Sequence, residues 1–411
     1  MVEKAKTRKS TGNQARALLP EASLYADQCT DLYGRINALI FISNICQETG
    51  QTKEAKRLLW KCYHQIPLLK DIPSRKYKSM EIASRFMDLD ICRPSLTLIK
   101  KLSRSQITSY QLFELIEKLR KAGKAAVADD CICRIEKNSK AFFLESDKSF
   151  IYCRIAEYYI NAGNTSKGLK YLARAESWAG RGKYAHIRCY AYSDVADSYR
   201  KAGKTEKCRV NLGKSLACAR KRRNLRSMQD ILLVIRKYHA SGESRRSREL
   251  LSRQIRKVFI SKSDNLSCDY MLELSDSCCM IGMRAKALEL LELLLRQARK
   301  KRYYSELIRI CRGFMDAGDL AGAERIVNSP SFKKADPFFA FFQIGSLAKR
   351  FLMEGDSHKA EKYLRQSLDG AYSIGQYDMK ALLIATIAGW FNDSNIFDNT
   401  LVEECKAQTN K

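Results

Sequence analysis

A chain of 411 residues with 45% hydrophobic side chains is too long for one ordinary core and apolar enough to bury structure throughout, so several domains or an extended repeat array are expected. Its formal charge of +29, from 74 Lys and Arg against 45 Asp and Glu, favours acidic proteins, phosphate backbones or anionic surfaces as partners and says nothing about fold. No run approaches the roughly 18 apolar residues that would span a membrane, and the start from Met1 to Lys9 is polar with no apolar stretch behind it; the 15 cysteines therefore read as reduced thiols of a soluble, cytoplasmic protein, with no membrane insertion.

The first twenty residues carry Lys4, Lys6, Arg8, Lys9 and Arg16 against Glu3 and read as a basic, flexible tail. From residue 21 to 411 one pattern recurs, clearest in Ala196 to Leu212. With Gly203 as origin, a small residue lies seven before, an aromatic four before, a small residue five after and Leu nine after. Residues three or four apart share a helix face, so the two pairs line two successive helices, and the glycine supplies the tight turn between them.

In chain order the frame is filled by Ser43, Cys46, Gly50, Ala55 and Leu59, and then by a degraded unit, Ala83, Phe86, Asp90, Ser95 and Ile99, in which an aspartate takes the turn position. Ile116, Leu119, Gly123, Ala128 and Ile132 follow, then Ala156, Tyr159, Gly163, Gly168 and Leu172. Beyond Gly203 come the units turning at Gly242, Gly282, Gly318 and Gly355, and a weak last copy at Ala388, Phe391 and Asn395. Most origins stand 36 to 40 residues apart. So regular a period predicts stacked two-helix modules, each too small to bury its apolar face alone: an all-α solenoid of about ten helical hairpins, drawn out into a rod with no separate catalytic unit.

Units such as 156–175 and 348–364 resemble tetratricopeptide repeats in their order of small, aromatic, glycine, small and leucine positions. The resemblance implies a right-handed superhelix whose first helices line a concave groove, and a role in binding proteins or peptides. The spacing here is longer than that family's unit, and the family's proline near each unit's end is absent. The Lys and Asn set with which some members clamp a C-terminal carboxylate has no counterpart. Groove positions six before each glycine are instead Asn44, Glu117, Glu157, Asp197, Arg236, Asp276, Arg312 and Lys349, a mixture that specifies no ligand.

Charge gives the sharpest functional signal. Residues 201–302 hold 26 Lys and Arg against 10 Asp and Glu. Clusters recur near the ends of second helices: Arg220, Lys221, Arg222 and Arg223 with Arg226; Arg253, Arg256 and Lys257; and Arg296, Arg299, Lys300, Lys301 and Arg302. One repeat carries each cluster onto the next, which predicts a basic stripe along one edge of the solenoid, with Tyr303 and Tyr304 placed to stack on unpaired bases. Cations near helix C-termini are also favoured by the macrodipole without any partner.

Catalytic and metal chemistry find little support. His64, His186, His239 and His358 are scattered, and Cys131-x-Cys133 and the adjacent Cys278 and Cys279 lack zinc-site spacing and read as packed small residues. Gly180 to Lys183 lacks the phosphate-loop spacing and reads as an inter-repeat loop. Glu157 with Asp197 is the nearest approach to an acid–base pair. The expectation is a non-catalytic scaffold or adaptor for an acidic protein or peptide, with no cofactor or small-molecule substrate; the alternative is sequence-blind nucleic-acid binding through the stripe.

Overall fold

A computed structural model describes residues 18–103, 110–139, 145–221, 225–260 and 267–391, and among them every regular element is helical. Residues 18–28 form α1, with Leu18 and Leu19 buried, so the tail expected over residues 1–20 gives way to packed helix at 18, and residues 1–17 lie outside the described residues. In chain order there follow α2 (Leu32–Glu48), α3 (Thr52–Gln65), α4 (Ile72–Asp88), α5 (Cys92–Ser103), α6 (Tyr110–Lys121), α7 (Ala125–Ser139), α8 (Glu145–Asn161), α9 (Thr165–Arg181), α10 (Ala185–Lys201) and α11 (Thr205–Ala219). The remainder are α12 (Leu225–Ala240), α13 (Ser244–Ile260), α14 (Cys268–Met280), α15 (Arg284–Lys301), α16 (Tyr304–Asp316), α17 (Leu320–Val327), α18 (Pro337–Met353), α19 (Ser357–Ser373) and α20 (Tyr377–Phe391).

Even-numbered helices from α2 to α18 open a hairpin and the next odd-numbered helix closes it. All eight turn glycines have positive φ, from 70° at Gly203 to 85° at Gly355, and Asp90 adopts 59° in the same role. In each of the nine turns the residue after the origin donates its N–H to the carbonyl of the residue four before the origin, as from Lys204 to Tyr199 at 2.9 Å and from Ile91 to Phe86 at 2.7 Å. This is a Schellman-type closure, and it needs a left-handed residue where the glycine stands. The tenth turn, expected at Asn395, lies outside the described residues; Ala388 and Phe391, which precede it in frame, are fully buried in α20.

Small residues sit where the two helices of a hairpin cross. Ser43 Oγ donates to the carbonyl of Ala55 at 2.9 Å and Ser275 Oγ to that of Ala287 at 3.3 Å, while in the degraded unit the roles reverse and Ser95 Oγ donates to Ala83. A Cβ on Gly168 would lie 2.9 Å from the carbonyl oxygen of Ala156. The residues four before and nine after each origin, including Tyr238, Phe314, Leu251 and Leu364, are buried and fill the space behind the crossing. At about 25 cal/mol per Å² of apolar surface, this layer is the main favourable term of each module.

The chain forms two compact units, one from its two ends, Met1–Leu98 with Ala298–Lys411, and one from Ile99–Gln297. In the Ile99–Gln297 unit each first helix packs on the next first helix, α6 on α8, α8 on α10, α10 on α12 and α12 on α14. Second helices pack on the following first helix, as α9 on α10 and α11 on α12, and no second helix packs substantially on the next among the described residues. First helices therefore form an inner layer and second helices an outer one. In the unit of the chain ends, α2 packs against α20: Tyr25 before it stacks on Tyr377 at 6.2 Å, and Gly389 approaches Ile45 so closely that a Cβ would lie 2.9 Å from it. Within this unit α20 packs on α2, a pairing that the repeat period alone does not give.

Candidate interaction surfaces

Three of the groove positions six before a turn glycine hold charges that tie neighbouring hairpins together. Glu157 on α8 pairs with Arg154 at 2.7 Å, both nearly buried, and accepts hydrogen bonds from Ser198 at 2.7 Å and Lys201 at 3.0 Å on α10. Asp197 on α10 takes Arg200 at 2.8 Å, Lys201 at 3.7 Å and Lys237 on α12 at 3.3 Å. Burial alone would push the Asp197 carboxyl up, but the Arg200 hydrogen bond and the charges of Lys237 and Lys201 outweigh it, and the group is held below the usual carboxylate range. Arg236 on α12 continues the series, donating to Ser277 Oγ at 3.0 Å and pairing with Glu273 at 3.5 Å on α14.

Elsewhere the same position is paired within its own helix: Glu117 with Arg120 at 2.6 Å and Arg312 with Asp316 at 3.8 Å, while Lys349 lies 5.7 Å over the Trp390 ring. In the unit of the chain ends, Lys78 is the corresponding tie, reaching Asn37 on α2 at 2.7 Å and Glu81 at 2.8 Å with its ammonium 5.0 Å over the Tyr33 ring. Glu157 and Asp197 are thus bridged by Lys201 and occupied by arginines, an arrangement that orders helices.

Apart from Arg226, the described members of the basic clusters lie at or near the C-terminal ends of the second helices α11, α13 and α15. Arg220 caps α11 and Lys221 follows it, both exposed; Arg222 and Arg223 lie outside the described residues, and Arg226 falls in the first turn of α12. Arg253, Arg256 and Lys257 are exposed on the last two turns of α13. Arg245 and Arg248 stand earlier on the same helix at helical spacing, and with Arg253 and Arg256 they border a shallow depression of about 640 Å³ that also contains Glu249, paired with Arg245 at 3.3 Å. Arg296 is exposed on α15 in the Ile99–Gln297 unit, whereas Arg299, Lys300, Lys301 and Arg302 close that helix within the unit of the chain ends, where Arg302 has a φ of 58°. Tyr303 beside them is 52% exposed, and Tyr304 opens α16 with the Lys334 ammonium 5.5 Å over its ring.

Part of the cationic excess has a packing role that the sequence clusters do not reveal. At three turns with an aromatic four before the glycine, a cation four after it covers the ring: Lys167 over Tyr159 at 3.9 Å, Arg246 over Tyr238 at 4.6 Å and Lys359 over Phe351 at 4.9 Å. The signal is present as a paired offset, aromatic at minus four with cation at plus four, which Tyr199 and Lys207 repeat in sequence.

Among the described residues no group of three His, Cys, Asp or Glu side chains could hold a metal ion. Cys131 and Cys278 are buried, and burial pushes the Cys278 thiol up to about 12; Cys133 is exposed and Cys279 half-buried. The run expected as a loop at Gly180 to Lys183 is helical through Arg181, with Gly182 as the cap. No helix among the described residues is long and apolar enough to cross a membrane.

The hairpins are tetratricopeptide-like in their helix, turn, helix build. No family model and no curated protein sequence matches the chain. Among solved structures it is similar to a Rap protein complexed with competence and sporulation factor, at 14% identity over 86% of this chain and 98% of that one, with a TM-score of 0.29. It is also similar to Ton1535 from Thermococcus onnurineus NA1, at 10% identity over 75% and 98% with a TM-score of 0.36. Aspartyl phosphate phosphatase F from Bacillus subtilis gives 12% identity over 82% and 94% with a TM-score of 0.31. Likeness at this level says nothing about partner or chemistry; the hairpin architecture stands on the geometry above.

Proposed function

We propose that the chain is a non-catalytic interaction scaffold that takes an acidic protein or peptide on the outer, second-helix surface of the Ile99–Gln297 unit. The observation that supports this reading is a contrast between two sets of charges. Groove charges such as Glu157, Asp197 and Arg236 are paired across neighbouring hairpins. Arg220, Lys221, Arg253, Arg256, Lys257 and Arg296 project from the outer layer, and no ion pair within 4 Å engages them among the described residues. An acidic chain meeting the second set displaces counter-ions and leaves the packing untouched.

A second reading, sequence-blind nucleic-acid binding, is favoured by one feature: the exposed Tyr303 directly after Arg299, Lys300, Lys301 and Arg302, where a base could stack while phosphates meet the cations. Equilibrium binding to a polyglutamate peptide and to polyuridine RNA over a salt series tests both. The proposal expects peptide affinity to fall with salt and to drop further in R253S/R256S/K257S. Salt-indifferent binding, or an unchanged triple variant, contradicts it; tighter and more steeply salt-dependent binding of the RNA moves the assignment to the second reading.

A further inference from the structure

We infer that α13 carries a seat for a phosphomonoester, centred on Ser252 and filled by a phosphorylated side chain of the partner; this rests on the reading that the outer surface takes an acidic chain. The depression of about 640 Å³ on this surface is lined by Arg245, Arg248, Glu249, Ser252, Arg253 and Arg256, all of them residues of α13. Arg248 stands four before Ser252 and Arg256 four after it, so both flank the serine on one helix face, and Arg253 adjoins it. Positions four apart lie about 5–6 Å from each other, within the reach of an arginine stem, so the two guanidinium groups can meet over the hydroxyl. The depression is open and formed by one helix, so the phosphoryl group is one that a larger chain presents.

The groups of this face are available. Arg248, Arg253 and Arg256 are exposed, and no ion pair, hydrogen bond or ring contact engages them among the described residues. Ser252 is half-buried and its hydroxyl makes no hydrogen bond there, whereas Ser247 on the same helix donates to the Ser244 carbonyl at 2.9 Å. Glu249, the acid in the lining, is paired with Arg245 at 3.3 Å, which leaves three guanidinium groups uncompensated. A second basic depression, on α9, lacks this freedom: its Lys167 covers Tyr159 at 3.9 Å, and its Arg174 pairs with Glu136 at 3.5 Å and covers Tyr171 at 5.2 Å. Arginine rather than lysine selects the ligand. Each guanidinium offers a planar fork of N–H donors, and a phosphomonoester brings about two negative charges and three acceptor oxygens, enough for two forks and a hydroxyl together. A carboxylate, with one charge and two oxygens, satisfies one fork.

Fluorescence anisotropy with two labelled peptides tests the inference: one phosphoserine flanked by three glutamates on each side, and octaglutamate, of nearly equal charge. The phosphopeptide should bind at least about tenfold more tightly. R248K/R256K keeps every charge but removes the forks, so it should abolish that preference while octaglutamate binds as before, and S252A should weaken the phosphopeptide alone. The three side chains stand on the surface, and an unchanged melting temperature in these variants separates lost recognition from lost folding. Equal affinity for the two peptides, or a full preference surviving in R248K/R256K, overturns the inference and leaves the acidic-partner reading standing. Failure of both peptides to bind overturns the two together. Tighter binding of polyuridine RNA than of the phosphopeptide also overturns it, in favour of phosphodiesters.

Discussion

Asp90 shows what the turn position demands. It adopts a φ of 59° where eight other turns have glycine, and a side chain in the left-handed region costs about 1 kcal/mol. D90G should therefore raise stability by up to about 1 kcal/mol, and G203A should lower it by about as much, both read from denaturant midpoints. A Cβ on Gly203 meets nothing within 4 Å, so the loss would be purely conformational. This frame was legible in the sequence because only one residue type fills a left-handed turn without strain. Asp194 was not legible: the charges that act on it, Arg154 on α8 and Lys237 on α12, come from other helices, and nothing in the residues beside it in sequence sets it apart from a solvated carboxylate.

The titrating carboxylates divide by sign. The Asp197, Glu176 and Glu324 carboxyls are all held below the ordinary range; burial opposes this in each, and Arg200, Lys214 and Lys359 respectively supply the principal opposing hydrogen bonds. A depressed folded pKa contributes stability that is present above the unfolded value and lost as pH falls through the folded one. Asp194 is raised, so its contribution runs the other way, present at low pH and lost as pH rises through its folded value. The melting temperature should fall below the ordinary carboxylate range, and the difference between D194N and wild type should shrink as pH is lowered and Asp194 takes up its proton. A difference that grows towards low pH would contradict this assignment.

Each hairpin is held by a repeated crossing. S43A removes a buried hydroxyl that donates to the Ala55 carbonyl, at a cost of about 1 kcal/mol. Y238A empties a fully buried site behind the crossing and should cost about 3–5 kcal/mol, measured by urea denaturation. The seven-before and five-after positions could be read from the sequence because in most units both partners of the pair are small. A second crossing, fourteen before with twelve after the origin, could not. It pairs Ser149 with the Ala175 carbonyl at 2.9 Å, Ser215 with that of Cys189 at 2.8 Å and Ser367 with that of Phe341 at 2.9 Å. There a small residue on either helix suffices, and Phe341 shows that its opposite can be large, so neither offset is marked by one residue type throughout the chain.

At the scale of the molecule, the meeting of α2 with α20 in one core is a contact between residues more than 300 positions apart, which a repeat period cannot reveal because every module carries the same local pattern. Gly389 permits it, and G389V should destabilise by about 1–3 kcal/mol through overpacking against Ile45, seen as a lower melting temperature. The basic clusters were legible as composition. Their meaning required the structure, which separates cations that cover aromatic rings, such as Lys167 and Arg246, from those that face solvent, such as Arg253 and Arg256.

The central claim is that inner charges hold the hairpins together and outer charges are left for a partner. Affinity for the polyglutamate peptide, measured with the melting temperature on the same samples of R253S/R256S/K257S and of D197N, tests it most directly. The account predicts that the triple variant loses affinity and keeps its melting temperature, while D197N, which breaks the tie to Lys237, keeps affinity and melts lower. The reverse pattern, or both variants losing both properties, would contradict it.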